Sequence, residues 1–199
     1  GREHSFPTRR SSDLVYSPAL TDWVFMVQNT SYMYITGPDV IRSIIGEEIS
    51  HEDLGGPSIH STKNGVCHFS TLNDRDCIEK IKALLSYLPD SCHSPLPILD
   101  QGDRADRILT ELDHIIPDEP SRSYDMKEII REIADCGVFL EPHEGWAQNI
   151  IVAFIRIMGH PVGVIANNPK FFAGVLDVHA SDKAARFVRF CDAFNIPLL

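Results

Sequence analysis

Hydrophobic and polar positions follow one another along the chain in patterns that predict short strands mixed with helices. Residues 21–27 and 31–36 are rich in β-branched and aromatic side chains and predict two strands. Pro38 predicts the start of a helix, because proline is favoured in the first helical turn. Residues 66–69 predict a further short strand after a glycine-containing loop.

Apolar residues at helical spacing predict a longer helix from residue 73 or 74 to about residue 88. Its apolar face would carry Ile78, Ile81, Leu84, Leu85 and Leu88. Residues 90–120 are rich in proline and poor in periodic apolar positions, so they predict a linker and a domain boundary. Asp125 with Glu128 then predicts the capped start of a helix that ends at Gly137.

The last third of the chain predicts a layered unit. Residues 149–157 are almost all apolar, which is typical of a strand covered on both faces, and residues 162–166 predict a second one. An irregular stretch, residues 167–178, comes next and is called here the Asn-Pro loop. A helix beginning at Ser181 or Asp182 and a terminal strand complete an order that is typical of α/β domains.

Composition narrows the class of protein. The 199 residues are 43% hydrophobic and 23% charged, as in an ordered globular chain. The formal charge of −10 argues against a nucleic-acid backbone as the main partner. No apolar run approaches the roughly 20 residues that span a bilayer. The cysteines show neither a C-x-x-C pair nor a zinc spacing, so reduced thiols in a cytoplasmic protein are expected.

The Asn-Pro loop is the most informative place for chemistry, because ligands of open α/β sheets bind at the carboxyl ends of strands. Asn167 and Asn168 offer amide side chains, Pro169 favours a turn, and Gly174 permits close approach of a ligand to the backbone. A plain strand-to-helix connection would contain the same residue types, so both interpretations stay open on this pattern alone.

Other polar residues carry weaker signals. His60, Cys67 and His68 are neighbours in sequence, but their spacing matches no common metal site and no metal is predicted. Arg156 interrupts an apolar strand. It could pair at the sheet edge or contact a phosphate, but a strand-end arginine that reaches out to solvent is the favoured interpretation.

Six ordered segments resemble the carboxyltransferase (beta) subunit of biotin-dependent acyl-CoA carboxylases, of the propionyl-CoA carboxylase type. They are VYSPALTDWVFMV, TSYMYITGPDVI, EDLGGPSIHSTKNGVCHF, LLSYLP, VGVIANNP and SDKAARFVRFCDAFNIPLL. The resemblance runs from Val15 to Leu199 and implies an α/β, crotonase-like fold. Family members have two such domains, so residues 15–105 would be the end of the first with its linker, and residues 106–199 the start of the second.

Residues 1–14 stand apart from this resemblance. SFPTRRSSDL resembles the translation of a common sequencing-adapter oligonucleotide, so this stretch is expected to be an artefact. The chain ends on an apolar run that resembles the beginning of a strand. We therefore expect an internal fragment of a longer protein.

The resemblance implies that a carboxyl group moves from carboxybiotin to the α-carbon of an acyl-CoA, with propionyl-CoA giving methylmalonyl-CoA. In the family, pairs of backbone N–H groups stabilise the enolate and the biotin anion. Both oxyanion loops fall outside the matching segment, so the catalytic residues are unknown and the fragment alone is expected to be inactive. The implied acyl-CoA and biotin-lining residues are Asn167, Asn168, Pro169, Ala173 and Gly174, with Ser17, Pro18 and Ala19 just after the first oxyanion loop.

The resemblance also implies partners: a biotin carboxylase, a biotin carboxyl carrier subunit and further copies of this subunit in a hexameric core. Neither nucleic acid nor membrane is expected, and the location would be the bacterial cytoplasm or the mitochondrial matrix. Alternatives are a methylmalonyl-CoA decarboxylase alpha subunit running the transfer in reverse, and an inactive fragment that makes only subunit contacts. A methylcrotonyl-type carboxylase is less favoured. A stand-alone hydratase would need glutamates that VYSPALTDW does not contain.

Overall fold

The computed structural model describes residues 16–104, 106–119 and 122–199. The chain divides into two compact units, the first ending at Cys77 and the second beginning at Ile78. The predicted boundary between residues 105 and 106 refers to the domains of a longer protein and stays a prediction. The predicted artefact, residues 1–14, lies outside the described residues.

The first unit contains two short parallel strands with three helices between them in sequence. The elements are β1 (Phe25–Val27), α1 (Pro38–Ile45), α2 (His51–Gly55), α3 (Pro57–Thr62) and β2 (Phe69–Thr71). Val24, Met26 and Cys67 form a buried hydrophobic cluster, against which Met33 packs. The rings of Phe25 and Phe69, which are paired in register, stack 4.6 Å apart.

The predicted strand over residues 31–36 is wrong. Met33 N donates to Gly55 O at 2.9 Å, and Met33 O lies 2.6 Å from Nε2 of His60. Both partners are residues of helices α2 and α3. Residues 31–36 therefore lie along these helices and pair with no neighbouring strand among the described residues, although their side chains favour β structure. The helix predicted at Pro38 is confirmed, and it ends at the left-handed Gly46.

The second unit is built on an antiparallel sheet with the order β3-β4-β5. The boundary between the units falls within helix α4 (Asp74–Ser86). The elements that follow it are α5 (Leu112–Ile115), α6 (Met126–Ile133), β3 (Phe139–Leu140), β4 (Ile150–Ile157), β5 (His160–Asn167) and α7 (Val178–Ala193). The chain end then bridges β5 in parallel, at Gly163 and Leu198.

Strand β4 is buried on both faces, as its sequence predicts. One face, with Ile151 and Ile155, packs on Ile130 of α6. The other presents Phe154, whose ring lies 4.9 Å from that of Phe187 on α7 and 5.6 Å from that of Tyr87. Alternate side chains of one strand thus hold a helix on each side, and the sheet is the middle layer of the second unit.

Two predicted helix ends differ from the structure. The last helix begins at Val178 because Asp177 accepts a hydrogen bond from Ala180 N at 2.8 Å. The helix after Asp125 ends at Ile133 and not at Gly137, because Ala134 already has an extended backbone, with φ of −70° and ψ of 141°.

Helix α4 is confirmed close to its predicted bounds, but its apolar face is only partly buried. Leu84 is 3% exposed, whereas Ile78 and Leu85 are 51% and 60% exposed. The helical period therefore located the element correctly without showing which of its apolar residues enter the core.

Arg156 is not a strand-end arginine that reaches solvent, because only 2% of it is exposed. Its guanidinium donates to Gly159 O at 2.7 Å, to Pro97 O at 2.9 Å and to Ser86 O, and it lies 4.9 Å from the centre of the Tyr87 ring. Burial was not predicted because two of its carbonyl partners come from distant parts of the sequence.

The β4–β5 turn is held from a second side by a buried carboxylate. Asp135 accepts hydrogen bonds from Met158 N at 3.0 Å and from Gly159 N at 2.7 Å. The oxygen of Gly159 also accepts from Leu99 N at 3.0 Å. The turn is therefore hydrogen-bonded to segments that are distant from it in sequence.

Arg156→Met should lower the free energy of unfolding by about 3 kcal/mol, because it leaves three carbonyls and a nearby buried carboxylate without their cation. Urea denaturation of the 199-residue chain measures the change. Arg189→Met is the matched control on the exposed side of α7, and its effect should stay within about 0.5 kcal/mol. Equal effects of the two substitutions would contradict this role.

Two glycines allow a paired test of crowding at the turn. Gly159 and Gly102 have φ of +79° and +77°, but a Cβ on Gly159 would lie 2.9 Å from Leu99 O, whereas Gly102 has nothing within 4 Å. Gly102→Ala should cost about 1 kcal/mol, the penalty of the left-handed backbone. Gly159→Ala should cost roughly 1–3 kcal/mol more. Similar melting temperatures for the two variants would refute the close packing of this turn.

Candidate functional site

The Asn-Pro loop leaves the carboxyl end of β5 and turns sharply before α7. Phe172, Ala173 and Gly174 have consecutive φ values of +47°, +52° and +71°. Each non-glycine residue in this region costs about 1–2 kcal/mol, and such strain clusters at functional sites. The loop therefore has a costly conformation that its surroundings must hold.

Hydrogen bonds within the loop fix this turn. Gly174 N donates to Phe171 O at 2.9 Å, and Val175 N donates to Phe172 O at 3.0 Å. The side-chain amide of Asn167 donates to Gly174 O. A Cβ on Gly174 would lie 3.2 Å from that of Asn167, so the positive φ and the close approach both favour glycine here.

Asn168 is fully buried and ties the loop to helix α6. Its Oδ1 accepts from Met126 N at 3.2 Å, and its Nδ2 donates to Oδ1 of Asp125 at 3.3 Å. The lining role predicted for Asn168 stays a prediction, and its side chain is buried against α6.

Lys170, which follows Pro169 in the loop, lines a cleft of about 410 Å³ at the start of α6. The cleft is lined by His114, Ile115, Pro117, Arg122, Ser123, Tyr124, Asp125, Glu128 and Lys170. Lys170 Nζ lies 3.0 Å from Oδ2 of Asp125. Burial acts to raise the pKa of Asp125, but hydrogen bonds from Lys170 and from Lys127 N lower it overall, so this carboxylate is charged at neutral pH.

The other end of the loop is held by Asn149, which sequence analysis treated only as the beginning of a strand. Its Nδ2 donates to Val175 O at 2.7 Å and to Oδ1 of Asp177 at 3.3 Å, and its carbonyl accepts from Asn168 N at 2.9 Å. Hydrogen bonds from Ala180 N and then from Asn149 lower the pKa of Asp177. Asn149 thus contacts both ends of the loop, the end near Asp177 through its side-chain amide and the end at Asn168 through its backbone carbonyl.

Comparison with known proteins identifies the family of the chain. The Carboxyl transferase domain family matches residues 12–199. The chain belongs to this family. The carboxyltransferase subunit of propionyl-CoA carboxylase from Haloferax mediterranei is 47% identical over 185 residues, and the methylmalonyl-CoA decarboxylase subunit alpha from Veillonella parvula is 50% identical over 185 residues.

Both alignments cover 93% of this chain and 36% of the relative, so the chain spans about a third of the relatives' length. A crystal structure of transcarboxylase 12S, a hexameric core with hydrolysed methylmalonyl-CoA bound, matches with a TM-score of 0.87 and 41% identity. That match covers 92% of this chain and 36% of the other. The predicted α/β, crotonase-like fold is confirmed.

The remaining candidate residues of this carboxyl transferase family member lie in the first unit. Ser17 and Pro18 are exposed and belong to a single helical turn that Leu20 N closes onto Tyr16 O at 3.1 Å, and Ala19 is half-buried. Their predicted place after an oxyanion loop stays a prediction, because the preceding residues lie outside the described ones.

The two histidines considered for metal binding form hydrogen bonds with backbone atoms. His68 Nδ1 accepts from Val24 N at 3.0 Å, and His60 contacts Met33 O. Within the described ranges, no group of three or more histidine, cysteine or acidic side chains is placed to hold a metal ion. All five cysteines are free thiols, and burial raises the pKa of Cys67 to about 11 and that of Cys191 to about 12. Over the same part of the chain, no helix is long and apolar enough to cross a membrane.

Asn168→Ala should lower the free energy of unfolding by about 2 kcal/mol, because buried groups at the start of α6 lose their partner. Asn167→Ala is the neighbouring control, and its exposed side chain should contribute less than about 1 kcal/mol. Urea denaturation of both variants measures the difference. A larger loss for Asn167→Ala would contradict the placement of the two amides.

Proposed function

We propose that this chain is a segment of a carboxyltransferase subunit that moves a carboxyl group from carboxybiotin to the α-carbon of an acyl-CoA. The observation that carries the proposal is the match over almost the whole chain to carboxyltransferase subunits of propionyl-CoA carboxylases, together with the transcarboxylase core solved with hydrolysed methylmalonyl-CoA. Propionyl-CoA is therefore the proposed acceptor and methylmalonyl-CoA the product.

The Asn-Pro loop is the part of this chain that we assign to the ligands. Asn167, Pro169, Ala173 and Gly174 form its turn, with the backbone of Asn168 between them. Phe172 is 83% exposed beside them and gives the loop an apolar surface. A strained, hydrogen-bonded turn that presents backbone and apolar side chains suits contact with a thioester and a biotin ring.

The chemistry requires two anions to be stabilised. Loss of CO2 from carboxybiotin leaves a ureido anion, which can accept the α-proton of the acyl-CoA. The enolate formed in this way attacks the released CO2 through its α-carbon, and backbone N–H groups placed in advance are suited to stabilising both anions. Biotin, carried by a partner subunit, supplies the activated carboxyl group when it is bound. The residues of this segment would orient the ligands and exclude water, and the donors themselves belong to loops outside it.

The proposal extends to assembly and location. A biotin carboxylase, a biotin carrier and further copies of the subunit in a hexameric core are the expected partners, and the bacterial cytoplasm or the mitochondrial matrix is the expected compartment. The transcarboxylase 12S core, described as a hexamer, supports the assembly.

A second function is favoured by the relative from Veillonella parvula, a methylmalonyl-CoA decarboxylase subunit alpha that is 50% identical. This enzyme class removes the carboxyl group from methylmalonyl-CoA and passes it to biotin. An inactive chain that makes only subunit contacts is the third interpretation. The direction of transfer and the presence of turnover distinguish the three.

The test uses the complete subunit that contains this segment, reconstituted with its biotin carboxylase and its biotin carrier. Labelled bicarbonate with ATP and propionyl-CoA should give labelled methylmalonyl-CoA, and avidin should abolish the reaction because it captures biotin. Release of CO2 from methylmalonyl-CoA without ATP-driven fixation would instead establish the decarboxylase. No turnover in either direction would refute both.

The 199-residue chain by itself should show no carboxyl transfer in the same assay, because the family's two oxyanion loops have no counterpart within residues 15–199. The complete subunit at equal molar concentration is the control. Normal turnover by the short chain would refute the placement of the catalytic donors outside it.

A further inference from the structure

Helix α7 carries a lysine whose charge is enclosed in the second unit. Lys183 is 1% exposed. Its Nζ lies 2.9 Å from Trp146 O and from Ile150 O, 3.0 Å from His143 O and 3.4 Å from Ala147 O. An ammonium has three protons, so four carbonyl oxygens share three donors. All four belong to one stretch of backbone, residues 143–150, called here the carbonyl segment.

Enclosing this cation is costly, and the fold retains it. Burial lowers the pKa of Lys183 to about 8, against the attraction of Glu141, so the ammonium still predominates at pH 7. The carbonyl segment is itself irregular, with φ of +57° at His143 and +46° at Ala147. Its carbonyls converge on one point, and a cation at that point offsets their mutual repulsion.

The carbonyl segment leads directly into the support of the Asn-Pro loop. Asn149 lies within it, between two of the residues whose carbonyls bind Lys183. Through its amide and its carbonyl, Asn149 bonds to Val175 O, Asp177 and Asn168 N. A displacement of the segment would therefore be passed to both ends of the Asn-Pro loop by a single residue.

We propose that Lys183 is a positioning residue, whose ammonium fixes the carbonyl segment so that Asn149 holds the Asn-Pro loop in its ligand-binding conformation. Its value for catalysis rests on the proposed function, whereas its hold on the loop can be measured without any substrate. Lys183 would then differ from an ordinary core residue, because its replacement should increase hydrogen exchange in the Asn-Pro loop more than in the rest of the unit.

Hydrogen exchange of Lys183→Met tests the hold on the loop. Methionine keeps the length and removes the charge, so the amides of Asn168, Gly174 and Val175 should exchange at least about tenfold faster, while amides in the middle of β4 keep their protection. Lys82→Met, at an exposed lysine paired with Glu79, is the control and should change neither set.

Ammonium rescue provides a second measurement that a core-packing role would not move. Lys183→Ala leaves a space faced by four carbonyls, which is the set of ligands that K⁺ and NH4⁺ accept. Methylammonium should restore slow exchange in the loop, and tetramethylammonium at the same ionic strength should not. Lys183→Arg, which keeps the charge, should lie between wild type and Lys183→Met.

In the complete subunit, Lys183→Met should raise the KM for acyl-CoA several-fold more than it lowers kcat. Loop exchange that is unchanged in Lys183→Met, or exchange that rises equally throughout the unit with no rescue by methylammonium, would overturn the proposal. Should Lys183→Met not fold, the Lys183→Ala chain folded in methylammonium carries the same comparison. A wild-type subunit without turnover would refute the proposed function and leave the exchange result to decide on Lys183.

Discussion

The second unit depends on the burial of strand β4 on both of its faces. Apolar side chains are enough to cover a strand on both faces. The backbone that enters and leaves such a strand, however, has N–H and C=O groups that water cannot reach, and these need hydrogen-bond partners within the protein. After β4, Arg156 binds the carbonyl of Gly159 together with those of Pro97 and Ser86, and before β4, Lys183 binds the carbonyls of the carbonyl segment. Each is a fully enclosed cation whose partners are mainly backbone oxygens, so the two ends of the strand are closed by the same physical device.

The candidate site follows from how the second end is closed. The stretch before β4 cannot be regular, because it must turn its carbonyls towards Lys183, and Asn149 then links it to the Asn-Pro loop. That loop has non-glycine residues with positive φ, a conformation that neighbouring structure must impose. The buried hydrogen bonds behind the turn therefore offset the conformational strain of its backbone. The apolar core and the strained, exposed loop are linked through these hydrogen bonds.

Sequence patterns identified the parts of the fold that are decided locally. The apolar run of β4 and the capped start of α6 could be predicted because burial on two faces and helix capping leave marks on adjacent residues. Residues 31–36 were predicted as a strand from side-chain preference, yet a strand also needs a partner, which no single segment reveals. Arg156 was misjudged for the same reason, since Ser86 and Pro97 reach it only through the fold.

The residues of the candidate site also fall into those that the sequence pattern predicts and those that only the fold reveals. The Asn-Pro loop could be proposed from its position after an apolar strand, but the roles of Asn149 and Lys183 could not. In the sequence, Asn149 is only the first residue of an apolar run, and no sequence pattern marks Lys183 as buried. Asp177 carried a usable signal as an N-terminal cap three residues before Ala180. The family could be recognised from ordered motifs, which record the whole arrangement at once and do not require each contact to be deduced.

On the proposed function, the same loop serves a carboxylase and a decarboxylase equally well. Both directions pass through the same enolate and the same biotin anion, so a site that stabilises them lowers the barrier for each direction by the same amount. The identities of 47% and 50% to a carboxylase subunit and a decarboxylase subunit accord with this. The direction of transfer is therefore set outside this segment, by the free energy of the reactions that charge or discharge biotin.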